Sequence, residues 1–125
     1  MKKDIKKSLS LGDLASKLPA LIDKLAAAEK DIAQQMAVLK KQGLIYAKPH
    51  WRNGKYLYLL HPTKAGEKRI REYVGSESDK IEAAEAAMLR ATQYTELEKR
   101  LQKLQNVASE GRKDLVDAIE TFTRW

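Results

Sequence analysis

Residues 44–61 read LIYAKPHWRNGKYLYLLH, and their reading decides the fold. Leu44 to Trp51 and Lys55 to His61 are rich in β-branched and aromatic side chains, and Arg52-Asn53-Gly54-Lys55 joins them. Asn-Gly is the dipeptide that best tolerates positive φ at both centres of a tight turn, so the stretch predicts a β-hairpin. Pro49 lacks an N–H and fits an edge strand. Alternation then sorts the side chains: Ile45, Ala47, Leu57 and Leu59 face a core, while Tyr46, Lys48, His50, Tyr56 and Tyr58 face away.

The hairpin also sits inside the basic part of the chain. The net charge is +7 over 125 residues. Residues 1–39 hold seven bases and five acids, residues 40–71 nine against one, and residues 72–125 eight against eleven. The whole excess therefore falls on the middle third, where five of the eight aromatics (Tyr46, Trp51, Tyr56, Tyr58, Tyr73) also lie in or just beyond the same stretch. A basic surface studded with aromatic rings points to a polyanion, and nucleic acid fits better than an anionic membrane because the block is not an amphipathic helix.

Upstream, residues 1–10 read as a basic flexible arm. Asp13 can cap a short helix over Leu14 to Leu18, with Pro19 tolerated in the first turn of a second helix. Leu18, Leu21, Ile22, Leu25, Ala28, Ile32, Met36 and Leu39 recur at three- and four-residue steps, an apolar stripe ending near Gln42, with Gly43 as the stop. Downstream, Pro62 to Gly66 is a turn, and residues 67–74 suit either a third strand or a helix. As a strand they place Arg69, Arg71 and Tyr73 on the outward face. From Ser76 a long helix begins, capped by Ser76 or Ser78. Its apolar residues keep close to a seven-residue repeat and predict a coiled-coil homodimer through Met88, Tyr94, Leu97, Leu101, Leu104, Leu115 and Phe122, with Gly111 as a bend or break.

The fold expected is mainly α with a small antiparallel β-hairpin or three-stranded sheet, an α+β class. Residues 11–75 form the nucleic-acid-binding module and 76–125 the dimerising helix. The candidate nucleic-acid-binding residues are Lys40, Lys41, Lys48, His50, Arg52, Asn53, Lys55, Tyr56, Tyr58, Lys64, Lys68, Arg69 and Arg71. Double-stranded DNA is the expected partner, with Lys and Arg on phosphates or guanine edges.

Val38 to Ile45, Asn53 to Leu59 and Pro62 to Gly66 together resemble the wing region of a winged-helix regulator of the MarR and PadR type, over about residues 30–75. That resemblance implies a dimeric DNA-binding regulator of transcription, with residues 30–41 in the major groove and Arg52 to Lys55 at the minor groove. Residues 14–43, however, outnumber what two short helices and a tight turn require, and Ala20 to Gln42 reads as one helix. A long helix, a three-stranded meander and a second long helix is the alternative, similar to the small sheets with which integrase arm domains grip DNA.

Other functions find little support. The chain has no cysteine, which removes disulfides, thiolate metal sites and cysteine nucleophiles and suits a cytoplasmic location. His50 and His61 without nearby cysteine or carboxylate make a poor metal pair, so no metal and no cofactor is expected. No phosphate-binding glycine loop or paired catalytic acids appear, so no catalytic residues are expected and the chain reads as a non-enzyme. Nothing resembles a signal peptide or a membrane span. The competing expectation is a coiled-coil adaptor or assembly protein whose basic sheet meets an acidic protein partner or RNA.

Overall fold

A computed structural model describes residues 9–125. The order is helix α1 (Leu11–Gln42), strands β1 (Lys48–Arg52), β2 (Tyr56–Leu60) and β3 (Arg71–Gly75), and helix α2 (Ser78–Arg124). The three strands form one antiparallel meander in the order β1-β2-β3. This is an α+β fold with helix predominating. The basic arm expected at residues 1–10 lies outside the described residues except for Leu9 and Ser10.

The helix-turn-helix that a winged-helix arrangement requires is not formed, because α1 runs unbroken from Leu11 to Gln42 with Pro19 inside it. Ser10, not Asp13, is the N-cap: the Asp13 N–H donates to Ser10 Oγ at 3.1 Å and the Ser10 N–H donates to Asp13 Oδ2 at 3.2 Å. This reciprocal pair is a capping box with Asp13 in the third helical position. The helix continues through Pro19 because the leucine register is not interrupted there. Leu11, Leu14, Leu18, Leu21 and Leu25 hold one stripe at three- and four-residue steps, with Pro19 on the exposed side. Gly43 ends the helix as expected, with φ at 107° and its N–H donating to the Leu39 carbonyl at 3.2 Å.

Residues 67–74 contribute strand, not helix, though the strand starts only at Arg71. Arg69 therefore sits in the β2–β3 connection. The register slips between Leu57 and Tyr58, where Val74 is the extra residue opposite β2. Val74 packs on the same core as Leu57 and Leu59, as alternation from the outward Tyr73 requires, and the bulge sets Gly75 opposite Leu57. In α2 the carbonyl of Glu77 accepts the first helical bond, from the Ile81 N–H at 3.0 Å, so the capping position is Glu77 rather than Ser76 or Ser78. Gly111 does not break the helix.

The chain divides into two compact units, residues 34–99 and residues 1–33 with 100–125. In the first, Leu57 and Leu59 are fully buried and pack with Ala84, surrounded by Ile45, Ala47, Val74, Ile81 and Met88. Ala84, Ala87 and Ala91 are buried on α2, Ala84 against Leu57 and Leu59. The Ile45 N–H donates to the Ala87 carbonyl at 3.2 Å, and Arg90 donates to the carbonyls of Gly43 (2.8 Å) and Gln42 (3.3 Å). A guanidinium there satisfies carbonyls left open at the C-terminus of α1 and complements the negative end of its dipole. In the second unit Ile32 is buried, and Leu18, Leu25 and Ala28 of α1 and Leu101, Leu104, Ala108 and Ala118 of α2 are half-buried.

Candidate nucleic-acid interface

The turn between β1 and β2 has the backbone that the Asn-Gly pair predicts: φ is 55° at Asn53 and 66° at Gly54, and the Lys55 N–H donates to the Arg52 carbonyl at 3.2 Å. Both centres are left-handed, the handedness that follows strand twist in a tight hairpin. This pins the register, pairing Arg52 with Tyr56, His50 with Tyr58 and Lys48 with Leu60.

Since Leu57 and Leu59 are buried on one face, their neighbours Tyr56, Tyr58 and Leu60 lie on the other, and cross-strand partners share a face. The outward face is therefore three rows. Arg52 and Tyr56 lie nearest the turn. His50, Tyr58 and Tyr73 cross the middle of all three strands, and Lys48, Leu60 and Arg71 form the far row. The Tyr58 and Tyr73 ring centroids are 5.0 Å apart at 51°. Lys55 Nζ stands 5.7 Å from the Tyr56 ring centroid, a cation–π contact at the edge of the face.

The face and its turn carry four Lys or Arg, Lys48, Arg52, Lys55 and Arg71, and no acid. Glu72 pairs with Leu59 on the opposite face, where its Oε1 lies 2.9 Å from His61 Nε2. Among the described residues, none of Lys48, Arg52, Lys55, Lys64, Lys68, Arg69 or Arg71 takes part in an ion pair. Their charge is left to external anions.

The remaining sequence candidates are distributed around this face. Asn53 and Lys55 form the exposed turn, while Lys64, Lys68 and Arg69 are exposed in the β2–β3 connection. Lys40 and Lys41 are exposed in the last turn of α1 and belong to no strand. His50 is on the outward face and His61 beyond the end of β2. Among the described residues no three His, Cys, Asp or Glu are grouped to hold a metal. Leu60 was missed as a member of the face, although strict alternation from Leu59 would have found it. Arg90 was missed too, because nothing local marks a base that bonds to backbone 47 residues away.

An open groove of about 960 Å³ runs beside β1, lined by Tyr46, Trp51, Pro62, Arg69, Leu89 and Thr92 among others. Its lining is largely apolar but includes Lys48 and Leu60, the far row of the outward face.

The seven residues expected to dimerise do not share one environment. Met88 packs against the sheet core, so it is already engaged within the chain. Leu97 is buried, Tyr94, Leu101 and Leu104 are half-buried, and Leu115 and Phe122 are exposed. Among the described residues no helix is long and apolar enough to cross a membrane.

No protein family, curated protein or solved structure matches this chain.

Proposed function

We propose that the outward face of the sheet binds nucleic acid, with duplex DNA as its ligand, and that the chain acts as a small dimeric regulator of transcription without catalysis. The observation that carries this reading is a face on which Lys48, Arg52, Arg71 and the neighbouring Lys55 are all free of acids. Desolvating four like charges is favourable only against a polyanion, and phosphate backbones supply one at regular spacing.

Size favours the duplex. Three strands span about 10 Å between outer backbones, and the major groove is about 12 Å wide, so the sheet enters it with side chains directed at base edges. Arg52 and Arg71, at opposite corners, then serve phosphates or guanine edges, and Tyr73 packs on sugar. Lys64, Lys68 and Arg69 extend the charge along the backbone.

The row His50, Tyr58 and Tyr73 favours a second reading, because rings aligned across a sheet also stack on unpaired bases. Fluorescence anisotropy on one sequence presented as duplex DNA, single-stranded DNA and RNA separates the two. Tightest binding to duplex supports the proposal, and a preference for either single strand overturns it in favour of stacking. No binding to any of them would leave the basic sheet as a docking surface for an acidic protein, the adaptor role.

A further inference from the structure

The unit made by residues 1–33 and 100–125 contains only helix among its described residues from Leu11 onward, save the terminal Trp125. Its helical residues are 11–33 of α1 and 100–124 of α2. The two lengths agree, roughly 33 Å from Leu11 to residue 33 and 36 Å from Arg100 to Arg124 at about 1.5 Å per residue.

Each helix carries an apolar row at alternating three- and four-residue steps. On α1 it runs Leu11, Leu14, Leu18, Leu21, Leu25, Ala28, Ile32, and on α2 Leu101, Leu104, Ala108, Gly111, Leu115, Ala118, Phe122. These rows are covered only in part: Ile32 is buried and Leu18, Leu25, Leu101, Leu104 and Ala118 are half-buried, whereas Leu11 is 65% exposed, Leu21 56% and Phe122 57%. These are positions within the rows themselves, the ones that a packed helix pair buries first. Ile22 and Ile119, beside the rows, are 52% and 63% exposed. The apolar surface is thus wider than two helices can cover, as in the helices of a four-helix bundle.

We infer that the exposed apolar positions of this unit form an interface with a second copy of the chain, in which α1 and α2 of each protomer contribute to one four-helix bundle. Two observations select a second copy. The exposed parts of Leu11, Leu14, Leu21, Ile22, Leu115, Val116, Ile119 and Phe122 add up to on the order of 700 Å², against about 800 Å² per partner in a standard interface. The described part of the unit also holds eight bases and eight acids, so two copies meet without net repulsion, whereas residues 34–99 hold twelve bases against eight acids. An exposed apolar patch of this size on a neutral surface fits self-association, and a two-fold axis uses it twice.

This deepens the dimeric part of the proposed function by assigning the interface to both helices, and it stands or falls independently of what the sheet binds. Sedimentation equilibrium of the full chain from about 1 to 100 µM tests it. The wild type is expected to be dimeric. Leu21→Gln with Ile22→Gln, and separately Ile119→Gln with Phe122→Gln, are each expected to weaken association at least about tenfold. Val38→Gln, at a comparably exposed position outside the unit, is expected to leave it unchanged. Helicity by circular dichroism is expected to persist because every altered residue is exposed and Gln is a good helix former. A wild type that stays monomeric throughout overturns the inference. So does a dimer weakened by the α2 pair alone, which means a single-helix seam. Nucleic-acid anisotropy on the same samples reports the sheet's function separately.

Discussion

Removing Arg52 and Lys55 together tests whether the outward face neutralises phosphate, because the salt dependence of binding counts the charges engaged. Four free bases stand on the face and its turn: Lys48, Arg52, Lys55 and Arg71. If each displaces a counterion from duplex DNA, log affinity falls against log salt with a slope of about −3.6, taking about −0.9 per phosphate. Raising salt fourfold, from about 50 to 200 mM, then weakens binding about 150-fold, or roughly 3 kcal/mol. The double Ala variant retains two of the four bases. Its slope is expected near −1.8, and the same rise in salt costs only about twelvefold. Single strands, at about −0.7 per phosphate, give the wild type a slope nearer −2.8, so the series also separates the two ligand readings.

Anisotropy titrations of wild type, Arg52→Ala with Lys55→Ala, and the control Arg112→Ala with Lys113→Ala make the measurement. The control removes two exposed helix charges and is expected to keep the wild-type slope. A wild-type slope shallower than about −1, or equal slopes for wild type and the Arg52 and Lys55 variant, refutes the assignment. A slope steeper than −3.6 that relaxes on changing Lys64, Lys68 and Arg69 to Ala extends the footprint into the β2–β3 connection.

The scaffold makes its own predictions. Leu59→Ala removes a fully buried side chain from a core cluster of three buried residues, and urea unfolding should show a loss of about 3–5 kcal/mol; a loss under 1 kcal/mol contradicts the packing. Arg90→Met keeps the stem but deletes the bonds to the Gly43 and Gln42 carbonyls, with an expected cost of about 1–2 kcal/mol and faster amide exchange in the last turn of α1. Gly54→Val forces a β-branched residue to φ near 66°, costing about 1–2 kcal/mol by thermal unfolding although the site is open to solvent. Gly111→Ala goes the other way: it lies in helix with nothing within 4 Å of an added Cβ, so stability should rise by about 0.5–1 kcal/mol.

How far this arrangement can be read from sequence depends on how local each cause is. The β1–β2 hairpin was legible because Asn53 and Gly54 are both residues that accept positive φ, and that one dipeptide fixes which side chains share a face. The third strand was ambiguous because Ile70 and Val74 fit a helix as well as a sheet. The strand is decided by pairing with β2, including a bulge at Val74 that no alternation pattern announces. Pro19 misled in the opposite direction. Taken alone it marks a helix start, but the leucine row of α1 passes it unchanged, with Leu18 and Leu25 half-buried on either side of it, and the helix is continuous through residue 19.

Met88 shows the same limit for the candidate dimer surface. It falls in a seven-residue series with the leucines of α2, so sequence assigns it to their seam. From Met88 to Leu97, however, the row advances by three residues at each step (Met88, Ala91, Tyr94, Leu97), nine residues in all. At 3.6 residues per turn that is two and a half turns, so Met88 points about half a turn away from Leu97, which lets it face the sheet core while the leucines face elsewhere. One helix thus serves two neighbours in turn. Ala84, Ala87 and Ala91 are buried and Met88 packs on the sheet core, while Leu115, Ile119 and Phe122 further along the helix are exposed. The interface proposed for a second copy accordingly draws on the exposed residues of the last turns of α2 together with Leu11 and Leu21 of α1, which no reading of α2 alone could supply.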